Sequence, residues 1–301
     1  MSAQVRSLKI AVILTVVLSL AIVILVPPSS VVGMTLKVGP EGFPLPQRDF
    51  SLVPQSVMDD ANRFAIELYG DYQETCDDFA SQLLVTYLEA VDEDVVVFFN
   101  SGGWGWNILE ASPQWTSIFI GIQTELADLG YTSILVNYQR AANTVRGYLE
   151  EVMSMISLYP SQAKDLASRI EFLTKHIEDL KVIIVGESNG SIIADSVMSI
   201  LRNDQQVYSI QTGPPFWHRN VMRDRTLVLK SNEIIPDSFS QGDFIVMIAS
   251  TVETMFGFPQ SEDKSGKIVL YIGAPGHEYY WQQPGVYSQI TYFLQENFGF
   301  K

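Results

Sequence analysis

The side chain best placed for covalent chemistry in this chain is Ser188, at the centre of Gly186-Glu187-Ser188-Asn189-Gly190. A β-branched run, Val182 to Val185, enters the pentapeptide, and Ile192, Ile193, Val197 and Ile200 leave it at helical spacing. A serine presented on a sharp strand-to-helix turn needs a strained backbone. Its neighbours must lack bulk so that strand and helix can close on each other. The helix N-terminus behind it offers free N–H groups and a positive dipole end, which suit a developing oxyanion. The chemistry implied is nucleophilic attack on an acyl carbonyl.

Such a serine needs a base, and the chain has three histidines. His176 lies in the helical pattern FLTKHIEDL and reads as a surface or packing residue. His218, in GPPFWHRN, could touch a substrate, but no strand holds it. His277, in YIGAPGHEYYW, directly follows the apolar run KIVLYI, which reads as the last strand. Its loop, with Gly273, Pro275 and Gly276, can fold back across the carboxyl ends of the strands, where ligands gather in open parallel sheets. His277 is the expected base. The histidines form no ligand-spaced pair, so no metal is expected, nor any other cofactor. The single cysteine, Cys76, excludes an intrachain disulfide. In TCDDF its thiol pKa would be raised rather than lowered, as fits a small packing residue.

The elements around these residues alternate. Helical patterns cover 57–91, followed by a strand at Asp94 to Phe99, a helix over 115–129, and a strand at Tyr131 to Val136. Residues 144–180 read as helical with a break at Tyr159-Pro160. After the strand of the elbow and its helix come strands at Val207 to Gln211 and Thr226 to Leu229, a helix over 244–256, the strand at 267–272 and a closing helix over 286–298. Continuous apolar strands imply a sheet covered on both faces, and strand–helix alternation implies a mostly parallel, doubly wound α/β sheet.

With these residues in this order, the chain resembles the α/β-hydrolase fold over roughly 90–301. The resemblance implies a triad in the order serine, acid, histidine. It puts the acid after the TLVL strand, in KSNEIIPDSF, where Glu233 is favoured slightly over Asp237. It further implies an oxyanion hole made of the backbone N–H of Asn189 and of the loop after the Asp94–Phe99 strand. That loop, NSGGWGW, is similar to the family's His-Gly-Gly-Gly-Trp type, with Gly102 and Gly103 at the matching positions and Asn100 and Ser101 in place of His and Gly. The activity implied is hydrolysis of a small-molecule or lipid ester through an acyl-enzyme on Ser188, with peptidase, acyltransferase and noncatalytic binding as alternatives. Between Val207 and Thr226 there is room only for a short lid. Trp104, Trp106, Phe216 and Trp217 could line an apolar acyl pocket.

The other signal is at the N-terminus. Ile10 to Val26 is a run of 17 residues in which only Thr15 and Ser19 are polar, long enough to approach a bilayer span. It ends in Pro27-Pro28-Ser29-Ser30 with only a poor cleavage candidate in Val31-Val32-Gly33, so of a cleaved secretory signal peptide and an uncleaved signal anchor over 1–27 the anchor is favoured. Arg6 and Lys9 precede the run and the next basic residue is Lys37, which places the N-terminus in the cytoplasm and the catalytic domain outside. The Pro- and Gly-rich stretch 28–56 reads as a tether to a domain over 57–301. With 34 Asp and Glu against 19 Lys and Arg, the net charge of −15 argues against nucleic acid as a partner and leaves the membrane contact to the apolar helix.

Overall fold

The structure, a computed structural model, describes residues 49–141, 144–221, 224–255, 267–269 and 272–299. The expected anchor and the tether up to residue 48 lie outside the described residues. No helix among those described is long and apolar enough to cross a membrane. The helical part begins slightly before the expected Val57, because α1 (Gln55–Tyr69) already starts behind Pro54. A second helix, α2 (Gln73–Ala90), completes the helical N-terminal part and buries Cys76, whose thiol donates to the Gly70 carbonyl at 3.3 Å.

Five strands form one sheet: β1 (Val95–Asn100), β2 (Ser133–Tyr138), β3 (Lys181–Glu187), β4 (Val207–Thr212) and β5 (Thr226–Leu229). Their spatial order is β2-β1-β3-β4-β5, and every neighbouring pair is parallel. β1, β3 and β4 are almost entirely buried because their side chains feed two cores at once. Val96, Phe98, Val182 and Ile184 pack on one face against α1, α2, α5 (Pro160–His176) and α6 (Asn189–Ile200). Val95, Val97, Phe99, Ile183 and Val185 pack on the other face against α3 (Pro113–Asp128) and the closing helix, α9 (Pro284–Phe298). This is the three-layer arrangement that continuous apolar strands require.

The chain reverses direction across the sheet between β1 and β3. In doubly wound sheets that switch point, at the carboxyl ends of the strands, leaves a crevice for ligands. Here the loops leaving it are the glycine loop after β1 and the serine elbow after β3. The expected break at Tyr159-Pro160 separates α4 (Val145–Ser157) from α5, with Leu158 and Tyr159 both in the left-handed region.

One strand departs from expectation. The run at 267–272 does not extend the parallel sheet among the described residues. Lys267–Val269 (β6) and Ile272–Gly273 (β7) pair antiparallel with each other, with an irregular register. Gly273 is packed against Ser250 of α8 (Phe244–Met255), so close that a Cβ would lie 2.3 Å from the serine hydroxyl. Ile272 likewise packs against the cluster that contains Met247 of α8.

Candidate active site

Three devices hold the elbow. Ser188 has φ 50° and ψ −115°, a sparsely populated conformation of the kind a nucleophile turn stores, at a typical cost of ~1–3 kcal/mol. The flanking glycines are required by contact. A Cβ on Gly186 would lie 2.7 Å from the Gly190 carbonyl oxygen, and one on Gly190 would lie 2.3 Å from that of Asn100. Ser191, not singled out in the sequence, ties the turn from below, donating through Oγ to the carbonyls of Gly186 at 3.0 Å and Thr212 at 3.1 Å. Its place three residues after Ser188, on the inner side of α6, is a readable but weak signal.

His277 meets a carboxylate, and that carboxylate is Asp237. The distance from His277 Nδ1 to Asp237 Oδ2 is 2.9 Å. Tyr279 and Ser240 donate their hydroxyls to the same oxygen at 2.7 and 2.8 Å, while Oδ1 accepts from the backbone N–H groups of Phe239 and Ser240. Asp237 thus also caps α7 (Ser238–Gln241). An aspartate followed by a short helix is an N-cap signature that sequence reading could have used. Burial pushes the Asp237 carboxyl up, but the His277 ring, the Ser240 N–H and the Tyr279 hydroxyl outweigh it and hold it below the ordinary carboxylate value. An ionised Asp237 only accepts, so His277 Nδ1 carries a proton, and in the neutral imidazole this leaves the lone pair on Nε2.

The preference for Glu233 is corrected by the loop's path. Glu233 has φ 65°, which turns its side chain out against Gly285 at the start of α9, where it accepts from Gln289 Nε2 at 3.0 Å. It is exposed and touches neither His277 nor the elbow. The chain from Pro236 onward is instead locked to the histidine loop. The Ser238 N–H donates to the Pro275 carbonyl at 3.0 Å, and Gly276, at φ 83°, fits against Pro236 where a Cβ would lie 2.4 Å from its carbonyl oxygen.

A single turn after β4 links serine and histidine. The Ser188 N–H donates to the Thr212 carbonyl at 2.9 Å. The next residue, Gly213, lies so close to His277 that a Cβ would be 2.6 Å from its Cε1. Both side chains are nearly sealed, Ser188 at 4% and His277 at 8% exposure. No hydrogen bond joins Ser188 Oγ to His277 Nε2 among the described residues. Such contacts commonly tighten only when substrate is bound.

The three expected oxyanion donors behave differently. The Gly102 N–H is already engaged: it donates to Glu187 Oε2 at 3.1 Å. Burial raises the Glu187 pKa, against the lowering effects of the Gly102 N–H, His277 and Arg140. The Gly103 N–H has no protein acceptor among the described residues, and that of Asn189, in the first turn of α6, has none within its helix. The Asn189 side chain bridges the two loops, donating to the Gly103 carbonyl at 3.3 Å.

Of the four aromatic residues expected at the pocket, Phe216 and Trp217 join the histidine through Phe239. Phe239 lies 4.8 Å from the His277 ring, 5.4 Å from Trp217 and 6.3 Å from Phe216. Trp104 and Trp106 stack on each other at 6.1 Å in the glycine loop. His218 is held away from substrate duty, its Nε2 3.2 Å from Asp195 of α6. No group of side chains able to hold a metal ion is present among the described residues.

No protein-family model matches this sequence, and no curated protein matches it. Among solved structures, that of Trichoderma reesei cutinase in complex with a C11Y4 phosphonate inhibitor is similar, with a TM-score of 0.35 and 16% sequence identity over 64% of this chain and 82% of that chain.

Proposed function

We propose that this chain is a serine hydrolase that cleaves carboxylic esters through an acyl-enzyme on Ser188. The observation that carries the reading is the Thr212–Gly213 turn, which contacts Ser188 through its carbonyl and His277 through its glycine. A strained serine, a histidine of defined tautomer and a buried carboxylate thereby lie together at the carboxyl ends of the strands. In this reading Ser188 Oγ attacks the ester carbonyl carbon while His277 Nε2 takes its proton. The tetrahedral oxyanion is met by the N–H groups of Gly103 and Asn189, and His277 returns the proton to the departing alkoxide. Water then enters by the reverse proton route, releasing the acid and restoring Ser188. Asp237 holds the imidazole and stabilises its cation. The aromatic side chains of Phe216 and Trp217 offer an apolar wall for an acyl group.

The same reading includes an anchor at Ile10 to Val26 that keeps the domain at the outer face of a membrane, supported by the length and apolarity of that run. The test uses the full-length chain, treated with a fluorophosphonate probe beside its Ser188→Ala variant and assayed on short- and long-chain p-nitrophenyl esters. Labelling and turnover that vanish in the variant are expected. A folded wild-type protein that neither labels nor hydrolyses any ester would defeat the proposal, and labelling without ester turnover would favour a peptidase or acyltransferase. Protease treatment of intact cells should digest the C-terminal domain, and protection would reverse the orientation.

A further inference from the structure

Arg140, which follows β2 by two residues, sends its side chain across the glycine loop and is fully enclosed there, at 0% exposure. Its Nη1 donates to the carbonyl of Ser101 and its Nη2 to that of Gly103 at 3.0 Å. Its Nε donates to Glu151 Oε1 of α4 at 2.9 Å, and the Tyr159 hydroxyl donates to that same oxygen at 2.9 Å. The Arg140 backbone N–H adds a bond to the Gly105 carbonyl at 3.1 Å. At Gly105, φ 78°, a Cβ would lie 2.5 Å from Arg140 Cγ, so the loop is shaped around this side chain.

We propose that Arg140 is the positioning residue of the oxyanion hole, an inference that rests on the serine-hydrolase reading above. In a trans peptide the carbonyl and the following N–H point in opposite directions. With the Ser101 carbonyl gripped by Arg140, the Gly102 N–H must face away from it, and it is found on Glu187 beside the nucleophile. With the Gly103 carbonyl gripped as well, the peptide after Gly103 is fixed too. The Gly102–Gly103 peptide, which carries the donor without a protein acceptor, is therefore held at both ends by one planar group. Two adjacent glycines have wide conformational freedom, and an oxyanion hole works only when its donors are aimed in advance. The guanidinium suits the task because its rigid fork serves two carbonyls and a carboxylate at once. A lysine ammonium, a single point of charge, cannot span them. Glu151 compensates the buried cation and ties the loop to α4.

The test compares the wild-type full-length chain with Arg140→Lys and with the double variant Arg140→Met/Glu151→Leu. The double variant removes both buried charges together, so that neither is left unpaired. The readouts are kcat and KM for p-nitrophenyl acetate, the rate of fluorophosphonate labelling, and the melting temperature. Loss of alignment should lower kcat and the labelling rate by about ten- to a hundredfold in both variants, somewhat short of deleting a donor outright. KM should move less than about threefold, because the donors act on the transition state rather than on the bound ester. Variants that fold as the wild type does and keep kcat within twofold would overturn the proposal. If the double variant does not fold, Arg140→Lys, which keeps the charge beside Glu151, decides by the same criterion. A wild-type chain that neither labels nor turns over would overturn the serine-hydrolase reading itself. An active wild type with fully active variants would overturn only the role of Arg140.

Discussion

Replacing Asp237 with Asn should cost about ten-thousandfold in kcat while leaving the protein folded. In the wild type, Asp237 Oδ2 accepts from His277 Nδ1, the Tyr279 hydroxyl and the Ser240 hydroxyl. Oδ1 accepts the two backbone N–H groups that cap α7. Asparagine caps a helix as well as aspartate does, so the variant keeps its carbonyl toward the backbone and turns its amide toward the ring. The amide donates, and the two hydroxyls can rotate to accept it. The imidazole must then present a bare Nδ1, which moves its proton to Nε2. A protonated Nε2 cannot take the proton of Ser188, and loss of the correct tautomer costs on the order of 10⁴, or ~5.5 kcal/mol of barrier. Weaker bonding at this carboxyl should remove ~1–3 kcal/mol of stability, small against the ~5–15 kcal/mol of a typical domain. Glu233→Gln is the internal control. Its side chain is exposed and meets only α9, so its kcat should stay within about twofold and its stability within ~0.5 kcal/mol. The assay is ester turnover and fluorophosphonate labelling for both variants, with denaturant melts beside them. An Asp237→Asn protein within tenfold of wild type, or a Glu233→Gln protein equally impaired, would refute the reasoning.

Two further outcomes follow from the site's electrostatics and bonding. The folded-state pKa of Glu187 is raised above the ordinary 4.5, so its contribution to stability is fully present below about that pH and is lost as pH rises through the folded value. Glu187→Gln keeps an oxygen for the Gly102 N–H but cannot ionise. Urea melts should therefore show it gaining on wild type as pH rises toward 8, with the gap closing below pH 4.5, and parallel curves would contradict this. Tyr279→Phe removes one of three donors to Asp237 Oδ2 but leaves the His277 contact intact. It should lower stability by ~1.5–3 kcal/mol and kcat by less than about tenfold, since the tautomer is retained. A loss comparable to that of Asp237→Asn would mean that Tyr279 takes part in the chemistry directly.

Much of the architecture is local and was therefore legible. Unbroken apolar runs at 95–99 and 182–185 demand cover on both faces, and the sheet has it. Glycines at 186 and 190 around a serine, between such a run and a helical pattern, describe a turn whose neighbours leave no space for a Cβ. With three histidines, only one of which follows an apolar strand pattern, the candidate base is narrowed to His277 by elimination.

The remainder depended on where distant segments meet. Glu233 and Asp237 share one loop and one chemistry. What separates them is a left-handed residue at 233 and the docking of 236–238 on the histidine loop, neither of which is a property of the loop's own residues. The segment at 267–272 has the composition of a sheet strand, yet its described parts pair with each other, and Gly273 packs on α8. The Gly102 N–H meets Glu187, and the Ser101 and Gly103 carbonyls meet Arg140, across separations in sequence of 85, 39 and 37 residues. Periodicity and motif spacing report on neighbours along the chain. Which guanidinium grips the glycine loop is set by the register of β1 against β2 and β3, and which carboxylate reaches the imidazole by the docking of residues 236–238 on the histidine loop, so both belong to the tertiary structure alone.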